Sequence, residues 1–280
     1  MQKHVQHIDI KHTVIDSTSL SGLRFWELWQ HRELLYFLTW RDIKVRYKQT
    51  ALGVAWAVLQ PVMQMVVFTI LFSRLGRMAS DGVPYPLFSY AALLPWQLFA
   101  TALTESGNSL VSSQNLITKV YFPRLVIPLA PVLAGLADFG VAFGILIILM
   151  VWYGVVPTVA ILTLPLFIML ALLAAVGVGL WLSALNVEYR DVRYTIPFLT
   201  QFWLFVTPVI YPSSLVPQRW RVLYGLNPMA CVIEGFRWAL LGRPITSYSM
   251  FLVSFIVAAA LFVSGTIYFR NREDSFSDIV

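Results

Sequence analysis

LVIPLAPVLAGLADFGVAFGILIILMV, residues 125–151, holds one charged side chain, Asp138, in its whole length. A helix needs about 20 predominantly apolar residues to cross the hydrocarbon core of a bilayer, and this run exceeds that. Similar runs are expected to form spans at 51–73, 87–109, 158–185, 196–211 and 249–269, making six in all. The fifth is short, and Pro208 and Pro212 at its end predict a kinked span or one that begins a turn earlier. A further apolar stretch, MACVIEGFRWALLG at 229–242, is too short to span and carries Glu234 and Arg237, so a re-entrant or interfacial helix fits it better. Composition agrees: 58% of the 280 residues are hydrophobic and 12% charged, with a mean hydropathy of +0.72, where a soluble domain carries about 25% charged residues. The expected fold class is an all-α integral membrane protein.

Charge then gives orientation. The excess of +6 is better read as loops held on the cytoplasmic side than as a nucleic-acid surface. Fourteen of the 20 Lys and Arg fall in residues 1–50, 110–124, 186–195 and the tail from Arg270, and the remaining six lie in the alternate loops. The positive-inside rule places both termini, and the loop 110–124, in the cytoplasm. The first fifty residues show no apolar stretch followed by a small-residue cleavage site, so no removable signal peptide is expected. The lone Cys231 says nothing of redox compartment. His4, His7, His12 and His31 lack companion ligands at metal-site spacing, so no metal centre is expected.

The loop before the quoted run, QNLITKVYFPR at 114–124, mixes cations with apolar residues. Ile117, Val120 and Tyr121 recur at i, i+3 and i+4 and share one face of a short helix, which Pro123 ends. Such a face needs a partner, either the membrane surface or another protein. Upstream, Tyr36, Trp40, Ile43 and Tyr47 form a narrow helical stripe beside Arg41, Lys44 and Lys48, the pattern of a helix lying at the headgroup zone. Within the spans, Asp138 would cost about 2.5 to 3.5 kcal/mol if ionised against lipid. It is expected to be a satisfied structural carboxyl, since no second acidic or His residue lies deep enough to continue a proton relay. Glu105 sits nearer a span end, within reach of interfacial water. Gly140 and Gly144 form a G-x-x-x-G that permits close helix approach, within one subunit or between two. Glu188 and Asp191 alternate with Arg190 and Arg193; an acid-base pair of a membrane transferase is the enzymatic reading, and local ion pairing the simpler one.

RDIKVRYKQTALGVAWAVLQP (41–61), LLPWQLF (93–99), NLITKVYFPR (115–124), NVEYRDVRYTIPF (186–198), TPVIYP (207–212) and NPMACVIEGFRWALLG (227–242) together resemble the permease subunits of ABC-2 type polysaccharide exporters. These serve O-antigen and capsule export, with teichoic-acid exporters as relatives. The likeness runs from about residue 20 through the closing FRNREDSFSDIV at 269–280, where Ser277 stands in place of an expected alanine. The resemblance implies a cytoplasmic segment 1–50 with an interface helix carrying Tyr36, Trp40, Arg41, Lys44, Tyr47 and Lys48, a six-span domain 51–269 and a cytoplasmic tail 270–280. It implies a homodimer in the bacterial inner membrane, with two copies of a cytoplasmic ATPase that holds the ATP and Mg; no cofactor is implied for this chain. No G-x-x-x-x-G-K-[ST] phosphate loop occurs in the sequence, in keeping with a separate ATPase. The resemblance further implies that Asn115, Leu116, Ile117, Lys119, Val120, Tyr121, Phe122 and Arg124 form a coupling helix on that ATPase. Aromatics of spans two and five, Trp96, Phe99, Phe202, Trp203, Phe205 and Tyr211, become candidates for the path of an undecaprenyl-linked polysaccharide. The segment with Pro217, Trp220, Asn227, Pro228, Gly235 and Arg237 becomes a re-entrant exit gate. Teichoic acid or another amphiphile is the alternative cargo.

Overall fold

The apolar runs become long helices in the computed structural model, which describes residues 25–48, 53–78, 80–119, 122–244, 247–273 and 276. In chain order these are α1 (Phe25–Gln30), α2 (Arg32–Lys48), α3 (Gly53–Phe68), α4 (Tyr85–Ser112), α5 (Gln114–Ile117), α6 (Val126–Trp152), α7 (Leu164–Glu188), α8 (Val192–Val206), α9 (Arg221–Tyr224), α10 (Pro228–Leu241) and α11 (Tyr248–Arg272). α3 widens into a π-helical stretch, Thr69–Leu75. Five helices among the described residues are long and apolar enough to cross a membrane: Ala55–Leu75, Tyr85–Ser112, Val126–Trp152, Val159–Glu188 and Tyr248–Arg272.

The expected fifth span is the exception. α8 has 15 residues, about 22 Å at 1.5 Å per residue, against a hydrocarbon core of about 30 Å. It ends where Thr207 turns to extended backbone ahead of Pro208, since the residue before a proline disfavours helix. Beyond it the expected re-entrant segment folds as two 3₁₀ turns (Ser213–Leu215 and Gln218–Trp220), α9 and α10.

α4 is the centre of the bundle, buried along most of its length, with α3, α6, α7, α8 and α10 packed around it. Polar pins fix those contacts where a bilayer supplies no hydrophobic drive between helices. Tyr90 OH donates to the Ala142 carbonyl of α6 (3.1 Å), and Asn186 Nδ2 of α7 donates to the Gly107 carbonyl (3.0 Å). α7 and α11 touch backbone to backbone: a Cβ on Gly265 would lie 2.1 Å from the Gly177 carbonyl oxygen. Gly140 and Gly144 face open space instead, so this G-x-x-x-G meets no helix among the described residues. α3 packs on one side only and leaves Trp56, Met63 and Leu71 exposed.

Candidate functional site

Asp138 is held by the end of α2. Arg46 and Tyr47 both donate to its carboxylate, and Arg46 also lies 3.6 Å from Glu105 of α4. The expected satisfied carboxyl is therefore present, with its partners on the helix assigned to the interface. A cavity of about 700 Å³ adjoins this cluster, lined among others by Trp56, Gln60, Gln97 and Thr101. On α2, Tyr36 and Trp40 are exposed, Lys44 lies 5.5 Å over the Trp40 ring, and Leu38 on the opposite side is buried. Arg41 pairs with Asp42 at 2.8 Å, and Lys48 is exposed. Tyr47 departs from the expected headgroup stripe: α6 crosses the end of α2 there and takes its hydroxyl.

The loop after α4 differs more. α5 ends at Ile117, turn residues follow, and Val120 and Tyr121 lie outside the described residues. Ile117 and Phe122 are buried in the subunit, whereas Asn115 and Lys119 are exposed and Leu116 half-buried. Of the face expected from Ile117, Val120 and Tyr121, Ile117 is thus covered within its own chain rather than turned outward, and Phe122 of the expected coupling helix is covered likewise. The Arg124 backbone N–H donates to Glu273 at 3.0 Å, and Glu273 also takes Arg270 at 3.2 Å, so the tail straps the end of this loop.

The aromatic set divides. Trp96 and Phe99 are buried, and Phe99 meets Trp203 edge to face at 5.0 Å, so these three are packing residues of the subunit. That corrects their assignment to a path. Phe202 and Phe205 are exposed, and Tyr194 and Phe198 extend them into a row at i, i+4, i+8 and i+11 on the outer face of α8. Ile196, on the other face, fits the space left by Gly107, where a Cβ would come within 2.8 Å of its Cδ1.

The re-entrant segment is locked by polar contacts. Arg237 is buried, its guanidinium donating to the carbonyls of Pro208 (2.7 Å) and Val209 (2.9 Å) and lying 3.5 Å over the Phe88 ring. Asn227 caps α10 by accepting from Met229 N–H at 3.1 Å, with Pro228 in the first turn. Its side chain also accepts from Trp203 Nε1 (3.0 Å) and donates to Thr207 (2.9 Å). Tyr211 bonds Tyr224 hydroxyl to hydroxyl at 2.6 Å. Burial, with that bond, pushes the Tyr224 phenol up, so it stays neutral. A Cβ on Gly235 would fall 2.3 Å from the Phe167 ring, so only glycine fits there. Pro217 and Trp220 are exposed, the latter under Arg219 at 5.8 Å.

The profile of the ABC-2 type transporter family matches residues 33–241. The chain belongs to that family. It is 28% identical over 257 residues to the O-antigen export system permease protein RfbA of Myxococcus xanthus, covering 91% of this chain and 98% of the relative. A protein of the same name in Klebsiella pneumoniae is 27% identical, covering 89% and 95%. The polysialic acid transport protein KpsM of Escherichia coli is 24% identical, covering 84% and 92%.

Several residues of these sites escaped the sequence reading. Arg46 looked like one more loop cation, although a cation one turn from the bilayer is the obvious partner for a deep carboxylate. Tyr194 and Phe198 continue the Phe202 and Phe205 spacing backwards, a signal available at helical period. Glu188 was expected to pair locally, yet it meets Arg272 of α11 at 3.5 Å, because α7 and α11 end side by side.

Proposed function

We propose that the chain is the membrane-spanning subunit of an ATP-driven exporter of lipid-linked polysaccharide, working as a pair of copies with a cytoplasmic ATPase. The observation that carries the cargo is the aromatic row Tyr194, Phe198, Phe202 and Phe205, exposed along α8 over about 16 Å. Aromatic faces stack on the C–H faces of sugar rings, while a chain of sugars could not cross lipid unaided. Two copies that turn these rows toward each other form an aromatic-lined path. The names of the relatives, an O-antigen export system permease protein and a polysialic acid transport protein, support the same cargo class. α8, continued by the turn at Thr207–Tyr211, completes a sixth crossing, and α10 forms its outer closure. In this reading α2 and the loop 114–124 receive the ATPase movement from the cytoplasm.

The test is a cell lacking its own export permease, supplied with this chain and its ATPase. Phe202→Ala with Phe205→Ala should leave the amount and melting temperature of purified protein unchanged, since both rings are exposed, and should cut surface polysaccharide severely. Normal export by that variant removes the row from the path; restored export of teichoic acid in place of glycan moves the cargo to the alternative. Orientation is tested by cysteine labelling at residues 80 and 118, expected to react from outside and inside respectively. The native Cys231 is buried and leaves the background clear.

A further inference from the structure

Where α7 gives way to α8, a cavity of about 390 Å³ is lined by Val111, Gln114, Asn186, Arg190, Arg193 and Tyr194. Its charge is unusual for this chain. Glu188, two residues before Arg190, is drawn away to Arg272 at 3.5 Å. Arg190 has no hydrogen-bond or ion-pair partner among the described residues, and Asp191 does not line the cavity. Arg193 donates to the Tyr194 hydroxyl at 2.9 Å, with its guanidinium 5.0 Å from that ring, and no carboxylate among the described residues reaches it. Two guanidinium groups thus face one concavity without counter-charge. The Asn186 amide is fixed at its wall by its bonds to the Gly107 carbonyl (3.0 Å) and Asn108 Oδ1 (3.1 Å).

Planar guanidinium forks bind phosphate oxygens with paired, charge-assisted hydrogen bonds, and two of them suit a group carrying two phosphates. Continuity with the aromatic row argues for what the phosphates belong to. Tyr194 is both a wall of the cavity and the first ring of the row, so a ligand anchored here has its next units against Phe198 and Phe202. We infer that this cavity is the docking site for the diphosphate of a polyprenyl-linked glycan, held by Arg190 and Arg193 as the sugar chain is laid onto α8. The inference rests on the exporter reading for its ligand, while the cavity and its charge are independent of it.

Full-length protein in phosphatidylcholine nanodiscs is titrated with undecaprenyl diphosphate, undecaprenol and inorganic pyrophosphate. The parent should bind undecaprenyl diphosphate at least tenfold more tightly than either of the others, and Arg190→Ala/Arg193→Ala should erase that margin. Both side chains are exposed, so the variant should keep the parent's elution profile and melting temperature. Equal binding by parent and variant overturns the site. Pyrophosphate binding as tightly as the lipid, and lost in the variant, overturns the lipid assignment in favour of a free anion. Full lipid binding by a variant that no longer co-purifies with the ATPase gives the two arginines to that partner instead. Export measured in the same cells separates the questions: diphosphate binding that depends on the arginines, in a parent that restores no export, removes the exporter reading and leaves the site. Restored export with binding indifferent to the arginines does the reverse.

Discussion

The two ends of the bundle are held together by different means. At the α10 end, Arg237 is sunk among carbonyls and over the Phe88 ring, and Asn227 binds α8 to α10 through three hydrogen bonds. At the α2 end, Arg46 lies between Asp138 and Glu105, with 26% of its own side chain and 49% of that of Glu105 exposed. The first arrangement has one geometry, because a buried guanidinium that loses a carbonyl finds no water to replace it. The second has alternatives, since a partly hydrated cation between two carboxylates can lean toward either. The proposed reading, with force taken at the α2 end and closure at the α10 end, fits this asymmetry: the adjustable contacts lie where α2 meets α4 and α6.

The largest effect should follow from breaking the fixed end. Arg237→Ala strands the carbonyls of Pro208 and Val209, and each buried unpaired polar group costs about 1–3 kcal/mol. Against a typical total of about 5–15 kcal/mol, this should abolish monodisperse protein in size-exclusion chromatography. Arg237→Lys should rescue little, because a single ammonium lacks the fork that reaches both oxygens. A stable, well-eluting Arg237→Ala protein would show that the α10 end is not locked as described.

A smaller loss is expected at the adjustable end. Asp138→Leu takes the nearer carboxylate from Arg46 and leaves the Tyr47 hydroxyl without the acceptor it has here. We expect a cost of about 1–3 kcal/mol, read as a fall in the melting temperature of the detergent-solubilised protein. Asp138→Asn keeps one acceptor oxygen for Arg46, while its amide N–H can donate to the Tyr47 hydroxyl in place of the bond lost there, so it should lose less, with most export retained. Near-complete loss of export in an asparagine variant that still assembles would mean that the negative charge itself takes part in transport.

What was legible in the sequence followed from the bilayer as a solvent. Length and hydropathy marked the long helices to within a few residues, and the shortness of MACVIEGFRWALLG with its inner Glu234 and Arg237 marked α10 as something other than a span. Hydropathy did not tell what covers an apolar face. In their most apolar stretches, 11% of the first span, Ala55–Leu75, and 78% of α4 is buried within the subunit, yet both read as spans, because lipid tails and protein interiors are equally apolar. The same blindness misplaced Phe99 and Trp203, which meet across α4 and α8, and Ile117 and Phe122, which are buried within the subunit. Pairings such as Arg46 with Asp138, 92 residues apart, depend on which helices adjoin, and periodicity within one helix carries no such information.

Between these extremes lies Phe122→Ala. The ring is buried, so its removal should loosen the loop strapped to Glu273, lowering the melting temperature by a few degrees and weakening ATPase co-purification together. A loss of ATPase with no change in melting would instead show that Phe122 reaches the partner.

The smallest effect should come from Lys119→Ala. The side chain is exposed on the turn after α5 and takes part in no ion pair among the described residues, so nothing inside the subunit depends on it. An exposed charge at the rim of a contact contributes under about 1 kcal/mol and is screened further by salt. The variant should melt with the parent and retain the ATPase within about fivefold at physiological ionic strength, the ceiling that such a contribution allows. Any difference should widen as salt is lowered, since screening then relaxes. Release of the ATPase at physiological salt would mean that Lys119 enters a dry contact with an acidic group. The adjustable end would then carry a fixed anchor of its own, and its contrast with the α10 end would narrow to the Arg46 cluster alone.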